Sequence, residues 1–181
     1  MAQTPFFEKI DNTGQPSPWI TMVHGASQHS GVFSAQTEAF RKDFRLLLID
    51  LPGHGKSSLA GPFGPEEYAD VVLAALDSAK IETTHFWGTH TGAGVALTLA
   101  TQHLQRFDSL ILEGAVIPGV ELSSVTKNIG RAKTTAREKG LDAARKEWFE
   151  RSEWFEVIRQ HPEECRADQH WSMITEFSGA P

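Results

Sequence analysis

Phe86-Trp87-Gly88-Thr89-His90-Thr91-Gly92-Ala93-Gly94-Val95-Ala96-Leu97 is the stretch that decides the fold. It opens on a short aromatic and β-branched run, which reads as a buried strand, and closes on a run with helical spacing. Between them stands G-x-H-x-G. Glycines on both sides of a central residue are what a very sharp strand-to-helix turn requires, because a side chain there collides with its neighbours. Such a turn holds the middle side chain at the end of the sheet in a strained conformation, with the N-terminus of the next helix aimed at the same place. The middle residue here is His90.

Working outward, similar units recur on both sides. Trp19-Ile20-Thr21-Met22-Val23-His24 is a β-branched and aromatic run that stops at Gly25. Residues Phe44 to Asp50 form a second run closed by Leu51-Pro52-Gly53, Thr83 to Gly88 a third, and Ser109 to Glu113 a fourth that ends at Gly114. Helical spacing fills the intervals: Ser34 to Lys42, Pro65 to Lys80 with a proline at its start, and Thr91 to His103. Strands alternating with helices predict an α/β fold whose mostly parallel sheet carries helices on both faces. Phe6 to Ile10, followed by Asp-Asn-Thr-Gly, reads as an antiparallel strand entering by a turn.

Three motifs stand in register: Val23-His24-Gly25-Ala26 after the first strand, Asp50-Leu51-Pro52-Gly53-His54-Gly55-Lys56-Ser57 after the second, and Gly88 to Gly94 after the third. In this order and spacing, over roughly residues 19 to 118, the chain resembles the α/β-hydrolase superfamily, in particular its cap-bearing esterase, dehalogenase and C–C hydrolase-like members. The resemblance implies a pocket at the C-terminal ends of the strands, the nucleophile position for His90, and an oxyanion hole from the backbone N–H groups of Ala26 and Thr91. The family's elbow usually carries Ser, Cys or Asp, so His90 is a departure.

That departure has a chemical logic. A serine is inert at neutral pH until a base removes its proton. Imidazole, with a reference pKa of about 6.5, is largely neutral at pH 7 and acts as nucleophile or general base without a second histidine. His90 is thus expected to attack an activated ester, to activate water, or to move a proton in a lyase-like reaction. The opposing reading is a defunct elbow in a protein that binds a small ligand or a partner chain. Ser27 and His29, just after the oxyanion turn, are candidates to reach substrate, although ordinary loop polarity explains them too.

Residues 1–120 read as the N-terminal part of such a core and 121–181 as a helical, cap-like region. From Val125 to Phe177 charges of both signs interleave with large apolar residues, and three of the five tryptophans lie here. This pattern fits either a surface helical bundle with its own small core or a cap turning Trp148 and Trp154 toward substrate. Lys127, Arg131, Lys133, Arg137 and Lys139 suit a solvated helix face.

The family continues through further strands that supply a catalytic acid and a base histidine, whereas no strand follows the helical region here. The Ser109–Glu113 run is therefore expected to be an apolar sheet edge. A longer protein of which this chain is part, or a second chain completing the sheet, is the preferred explanation. Pairing of the edge with a copy of itself is the other.

Composition removes other classes. The chain has 181 residues, with Lys+Arg 17 against Asp+Glu 23 and a formal charge of −6, a poor basis for binding nucleic acid or an anionic membrane. No apolar run approaches a membrane span, and the N-terminus lacks the pattern of an export signal. The single cysteine, Cys165, allows no internal disulfide and fits a reducing, cytoplasmic setting. Gly55-Lys56-Ser57 lacks the first glycine of a phosphate loop, since Asp50 stands there, and Leu59-Ala60-Gly61-Pro62 follows it instead of a helix. Gly92-Ala93-Gly94 lacks the third glycine of a dinucleotide loop, since Leu97 stands there. Eight histidines invite a metal site, but His24 belongs to the oxyanion turn and His29 reads as exposed; neither a metal nor a cofactor is expected.

Overall fold

The computed structural model describes residues 4–57, 63–117 and 123–176. The Leu59–Pro62 segment and the expected boundary at residues 120 and 121 lie outside them. By their contacts the described residues fall into two compact units, 4–117 and 123–176.

The first unit is built on five strands: β1 (Phe7–Ile10), β2 (Trp19–Val23), β3 (Arg45–Ile49), β4 (Thr84–Thr89) and β5 (Phe107–Glu113). Their order is β1-β3-β2-β4-β5. β1 runs antiparallel to β3, with Phe7 opposite Ile49, and all other pairs are parallel. Three helices connect them: α1 (Ser34–Phe40), α2 (Pro65–Ser78) and α3 (Thr91–His103). α2 starts with Pro65 at its first turn, and the Gly64 N–H donates to Glu67 Oε2 at 2.8 Å, so the helix begins where the sequence places it.

Strand periodicity sorts the core into two layers. Val23, Leu47, Ile49 and Phe86 point to one face and pack with Val72, Leu76, Val95 and Leu99 of α2 and α3. Ile20, Met22, Leu46 and Leu48 point to the other, where Phe33, Phe40 and Trp87 join them. Helices thus cover both faces of the sheet, as expected of βαβ units. β4 and β2 share a buried Thr84–Thr21 hydroxyl pair at 3.0 Å. One of the edge strands is β5. It begins at Phe107, two residues before the expected start, because Phe107 packs against the ring of Phe86 at 5.5 Å. Past that anchor the edge turns outward: Ile111 is 42% exposed and Ile117, just beyond the strand, 52%.

The second unit contains α4 (Ser123–Lys139), α5 (Leu141–Arg151), α6 (Glu156–Gln160) and α7 (Ala167–Glu176), and no strand among its described residues. Its aromatic residues form a cluster of their own. Trp148 meets Trp154 edge-on at 5.1 Å, and Phe149 lies against Phe155 and Trp171 at 5.4 and 5.6 Å. Thr135, buried on α4, donates to Glu147 Oε2 on α5 at 2.6 Å, tying the two helices together. Lys127, Arg131, Lys133, Arg137 and Lys139 are all exposed, the solvated face their spacing implies.

Candidate active site

β4 feeds α3 through one residue. His90 has φ 49° and ψ −108°, a left-handed backbone that side chains other than glycine's rarely adopt, and Thr91 is already the first residue of α3. Hydrogen bonds hold the turn from three sides. The His90 N–H donates to the Glu113 carbonyl at the end of β5 at 2.8 Å, the His90 carbonyl accepts from Gly94 N–H at 3.1 Å, and Gly92 N–H donates to the His24 carbonyl at 3.1 Å. That last bond brings α3 against the end of β2 so closely that a Cβ on Gly92 would run into the Val23 carbonyl. The glycine after His90 is therefore a packing requirement.

His90 is half-buried, and burial pushes its pKa below the ordinary histidine value, so the ring is neutral near pH 7. Its Nδ1 lies 3.1 Å from the Thr91 hydroxyl. The turn after β2, expected to supply oxyanion donors, is adjacent: a Cβ on Gly25 would stand 2.9 Å from the Cβ of His90. Gly25 donates its own N–H to Gln28 Oε1 at 3.1 Å. Ala26 is exposed beside it, and Thr91 sits in the first turn of α3, where backbone N–H groups have no intrahelical acceptor. A helix N-terminus and a neighbouring loop N–H suit a developing oxyanion.

Ser27 is 7% exposed and, like His90, has a positive φ, 60°. His29 is half-buried rather than exposed, and its Nδ1 accepts the Gly31 N–H at 2.9 Å, which starts the 3-10 turn Ser30–Phe33 ahead of α1. Trp148 and Trp154 belong to the helical unit and to its aromatic cluster. Among the described residues no three His, Cys, Asp or Glu side chains are placed to hold a metal ion. No described helix is long and apolar enough to cross a membrane.

Behind the elbow lies a second histidine site. His24 is completely buried: its Nδ1–H donates to the Gly25 carbonyl at 2.7 Å, and its Nε2 accepts the Leu51 N–H at 2.9 Å. Two backbone partners fix the neutral tautomer. Burial, reinforced by the nearby His54, lowers its pKa to about 3. The ring of His54 lies 5.0 Å away, its Nδ1–H donates to the Pro52 carbonyl at 2.9 Å, and burial lowers its pKa as well. Asp50 completes the site, accepting the Ser30 N–H at 2.7 Å and the Lys56 N–H at 2.9 Å, so one carboxylate pins the loops after β2 and β3. Gln28, Asp50 and the Thr91 hydroxyl are contributors that spacing did not single out. Only Asp50 carried a signal, its place at the head of the Pro/Gly turn.

A family model described as alpha/beta hydrolase fold matches residues 18–163. The chain belongs to this family. Among curated proteins it is 37% identical over 111 residues to a 2-succinyl-6-hydroxy-2,4-cyclohexadiene-1-carboxylate synthase of Citrobacter koseri, covering 61% of this chain and 43% of that protein. It is 33% identical over 103 residues to a pimeloyl-acyl-carrier-protein methyl ester esterase of Nitrosomonas europaea, covering 57% of this chain and 39% of that one. These matches span less than half the length of either relative. A thermophilic esterase from Thermogutta terrifontis shares the fold, with a TM-score of 0.74 at 23% identity over 97% of this chain and 62% of the esterase. The mostly parallel sheet with helices on both faces is thus that of an α/β-hydrolase-fold chain.

Proposed function

We propose that this chain carries the elbow half of an enzyme that cleaves a small, largely apolar carbonyl substrate, an ester or a C–C bond next to a ketone. His90 is its nucleophile or general base. The carrying observation is the backbone of His90, held in the left-handed region at a helix N-terminus with a half-buried ring whose pKa lies below the ordinary value. Strain of this kind costs about 1–3 kcal/mol and persists where the surroundings impose it. For an ester, Nε2 adds to the carbonyl carbon while the Ala26 and Thr91 N–H groups receive the oxyanion. The alkoxide departs and takes up a proton from solvent. Water then cleaves the acyl-imidazole to the acid, releasing a proton and restoring the ring. The methyl ester esterase and the cyclohexadiene-carboxylate synthase among its relatives support carbonyl chemistry. In this proposal the helical unit is the cap.

The test is hydrolysis of a panel of activated esters by the purified 181-residue chain and by His90→Ala. Turnover that disappears in the variant supports the reading, and equal rates in both reject it. The exposed β5 edge favours a second reading, in which the chain is a catalytically silent member of the fold that binds a small ligand or a partner chain. Ligand-induced thermal stabilisation without turnover of any ester selects that reading.

A further inference from the structure

Gly25 spends both of its backbone polar groups inside the protein. Its carbonyl takes the Nδ1–H of His24 at 2.7 Å, and its N–H donates to Gln28 Oε1 at 3.1 Å. A backbone N–H can only donate, so the atom facing it is the glutamine oxygen, and the two donors of the same amide are on Nε2. We propose that Gln28 is a specificity-determining residue of the elbow site, whose Nε2–H group binds a second, neutral oxygen of the substrate, beside the carbonyl that is attacked. The inference rests on the reading of the His90 turn as the reacting site, and it narrows that site's substrate class.

The amide and the elbow meet over one glycine. A Cβ on Gly25 would stand 2.9 Å from His90 Cβ and 3.0 Å from Gln28 Oε1. Nε2 is about 2.3 Å from Oε1 in any planar amide, within reach of a small molecule seated on His90. Among the described residues Nε2 has no hydrogen-bond partner. Gln28 is half-buried, and Nε2 is not one of the polar atoms that are both buried and unpaired, so it reaches solvent. The bond at Oε1 fixes the side chain before any ligand arrives, which lowers the ordering cost of binding. The turn beneath is held too, because the His24 ring that grips the Gly25 carbonyl also accepts the Leu51 N–H at 2.9 Å.

The bond to Gly25 does not by itself call for glutamine. An acceptor is all the turn needs, and a glutamate of the same length supplies one. Glutamine adds a pair of donors and no charge. An uncharged donor does little to offset the desolvation of a carboxylate. The class that fits is therefore a carbonyl compound with an ether or ketone oxygen on the carbon next to the scissile carbonyl. In the proposed reaction the Ala26 and Thr91 N–H groups serve the first oxygen and Gln28 serves the second. A site that hydrogen-bonds a substrate oxygen discriminates against the analogue lacking it, whose binding leaves the donor unpaired.

Binding can be read without turnover. In the 15N-labelled 181-residue chain, Gln28→Glu assigns the Gln28 side-chain amide signals by their loss, and it keeps an acceptor for the Gly25 N–H. The probes are two unreactive amides of one shape, 2-methoxy-N-methylacetamide and N-methylbutanamide, which carries a methylene where the first has its ether oxygen. The methoxy compound is expected to shift the Gln28 amide signals saturably, together with the backbone amides of His90 and Thr91. It should bind about fivefold more tightly than the butanamide, the scale of one ordinary hydrogen bond, and Gln28→Glu should abolish that preference. Gln28 signals that stay still, or that move without those of His90 and Thr91, overturn the proposal. So do equal affinities in the wild-type chain, or a preference that survives in folded Gln28→Glu. Should that variant fail to fold, the wild-type titrations decide, with the Gln28 signals assigned by backbone-to-side-chain correlation. A chain that shows the preference but hydrolyses no ester rejects the ester-cleaving function alone; a chain that turns over esters while Gln28 stays still rejects the role of Gln28 alone.

Discussion

His24 and His90 stand at the C-terminal ends of neighbouring strands, β2 and β4, and the molecule treats them in opposite ways. His24 is enclosed, and each of its ring nitrogens is bonded to backbone. Its imidazole works as a two-ended clamp that joins the turn after β2 to the Pro/Gly turn after β3. His90 has a half-buried ring, a side-chain hydroxyl at Nδ1, and a backbone in a region that disfavours side chains. The same residue type is a structural bracket at one site and, in the proposed function, a strained nucleophile or base at the other. What separates them is burial and backbone conformation, so chemistry is expected at the half-buried residue with the strained backbone.

Removing the bracket should have the largest effect. His24→Ala leaves a cavity and orphans both the Leu51 N–H and the Gly25 carbonyl, and a loss of about 4 kcal/mol of unfolding free energy is expected, read from urea midpoints at pH 7.5. His90→Ala keeps the strained turn and should cost under about 1 kcal/mol by the same measurement. A variant pair with the reverse order would break the comparison. In activity the ranking inverts. His90→Ala should reduce hydrolysis of an activated ester by about a hundredfold or more, the usual scale for losing a catalytic base or nucleophile.

Acid sharpens the same contrast. The folded pKa of His24 is about 3 against about 6.5 when unfolded, so between these values the unfolded chain binds a proton that the folded chain refuses. Stability is full above pH 6.5 and falls as the pH drops below it, by up to about 1.4 kcal/mol per pH unit for this one group. His54 and His90, also lowered by burial, act with the same sign. From pH 7 to pH 5 a loss of about 2 kcal/mol is expected, before most carboxylates begin to titrate. His24→Ala should flatten that slope, whereas His90→Ala should leave most of it. A flat wild-type profile would mean that His24 is not enclosed as described.

Much of this contrast was legible in the amino-acid order, and the rest was not for identifiable reasons. The strands announce themselves because β-branched and aromatic runs end on glycine, and α2 because Pro65 opens a run of apolar residues at helical spacing. The elbow was legible because Gly88 and Gly92 leave few backbone paths around His90. β5 began two residues early because Phe107 packs on Phe86, a contact between strands that the run of Ser109 to Glu113 does not encode. The bonds that separate bracket from base were hidden more deeply. Gln28 reaching the Gly25 N–H, Asp50 reaching Ser30 and Lys56, and Thr91 reaching the His90 ring all depend on loop paths, to which no periodicity applies. His29 illustrates this, since its ring starts a 3-10 turn through Gly31.

The smallest effect probes the strain itself. At φ 49° and ψ −108° any residue with a Cβ is disfavoured, and glycine is not. His90→Ala is the proper reference, because it removes the imidazole and keeps the Cβ. Relative to it, His90→Gly relieves about 1–3 kcal/mol of backbone strain and adds about 0.5–1 kcal/mol of chain entropy to be lost on folding. A net stabilisation of about 1 kcal/mol is therefore expected, visible as a higher urea midpoint with an unchanged slope. The reverse sign would mean that the elbow is not strained at His90. At His24, on a regular strand end, glycine has no such strain to relieve. His24→Gly should fall below His24→Ala in stability, so the two positions answer the same pair of substitutions with opposite signs.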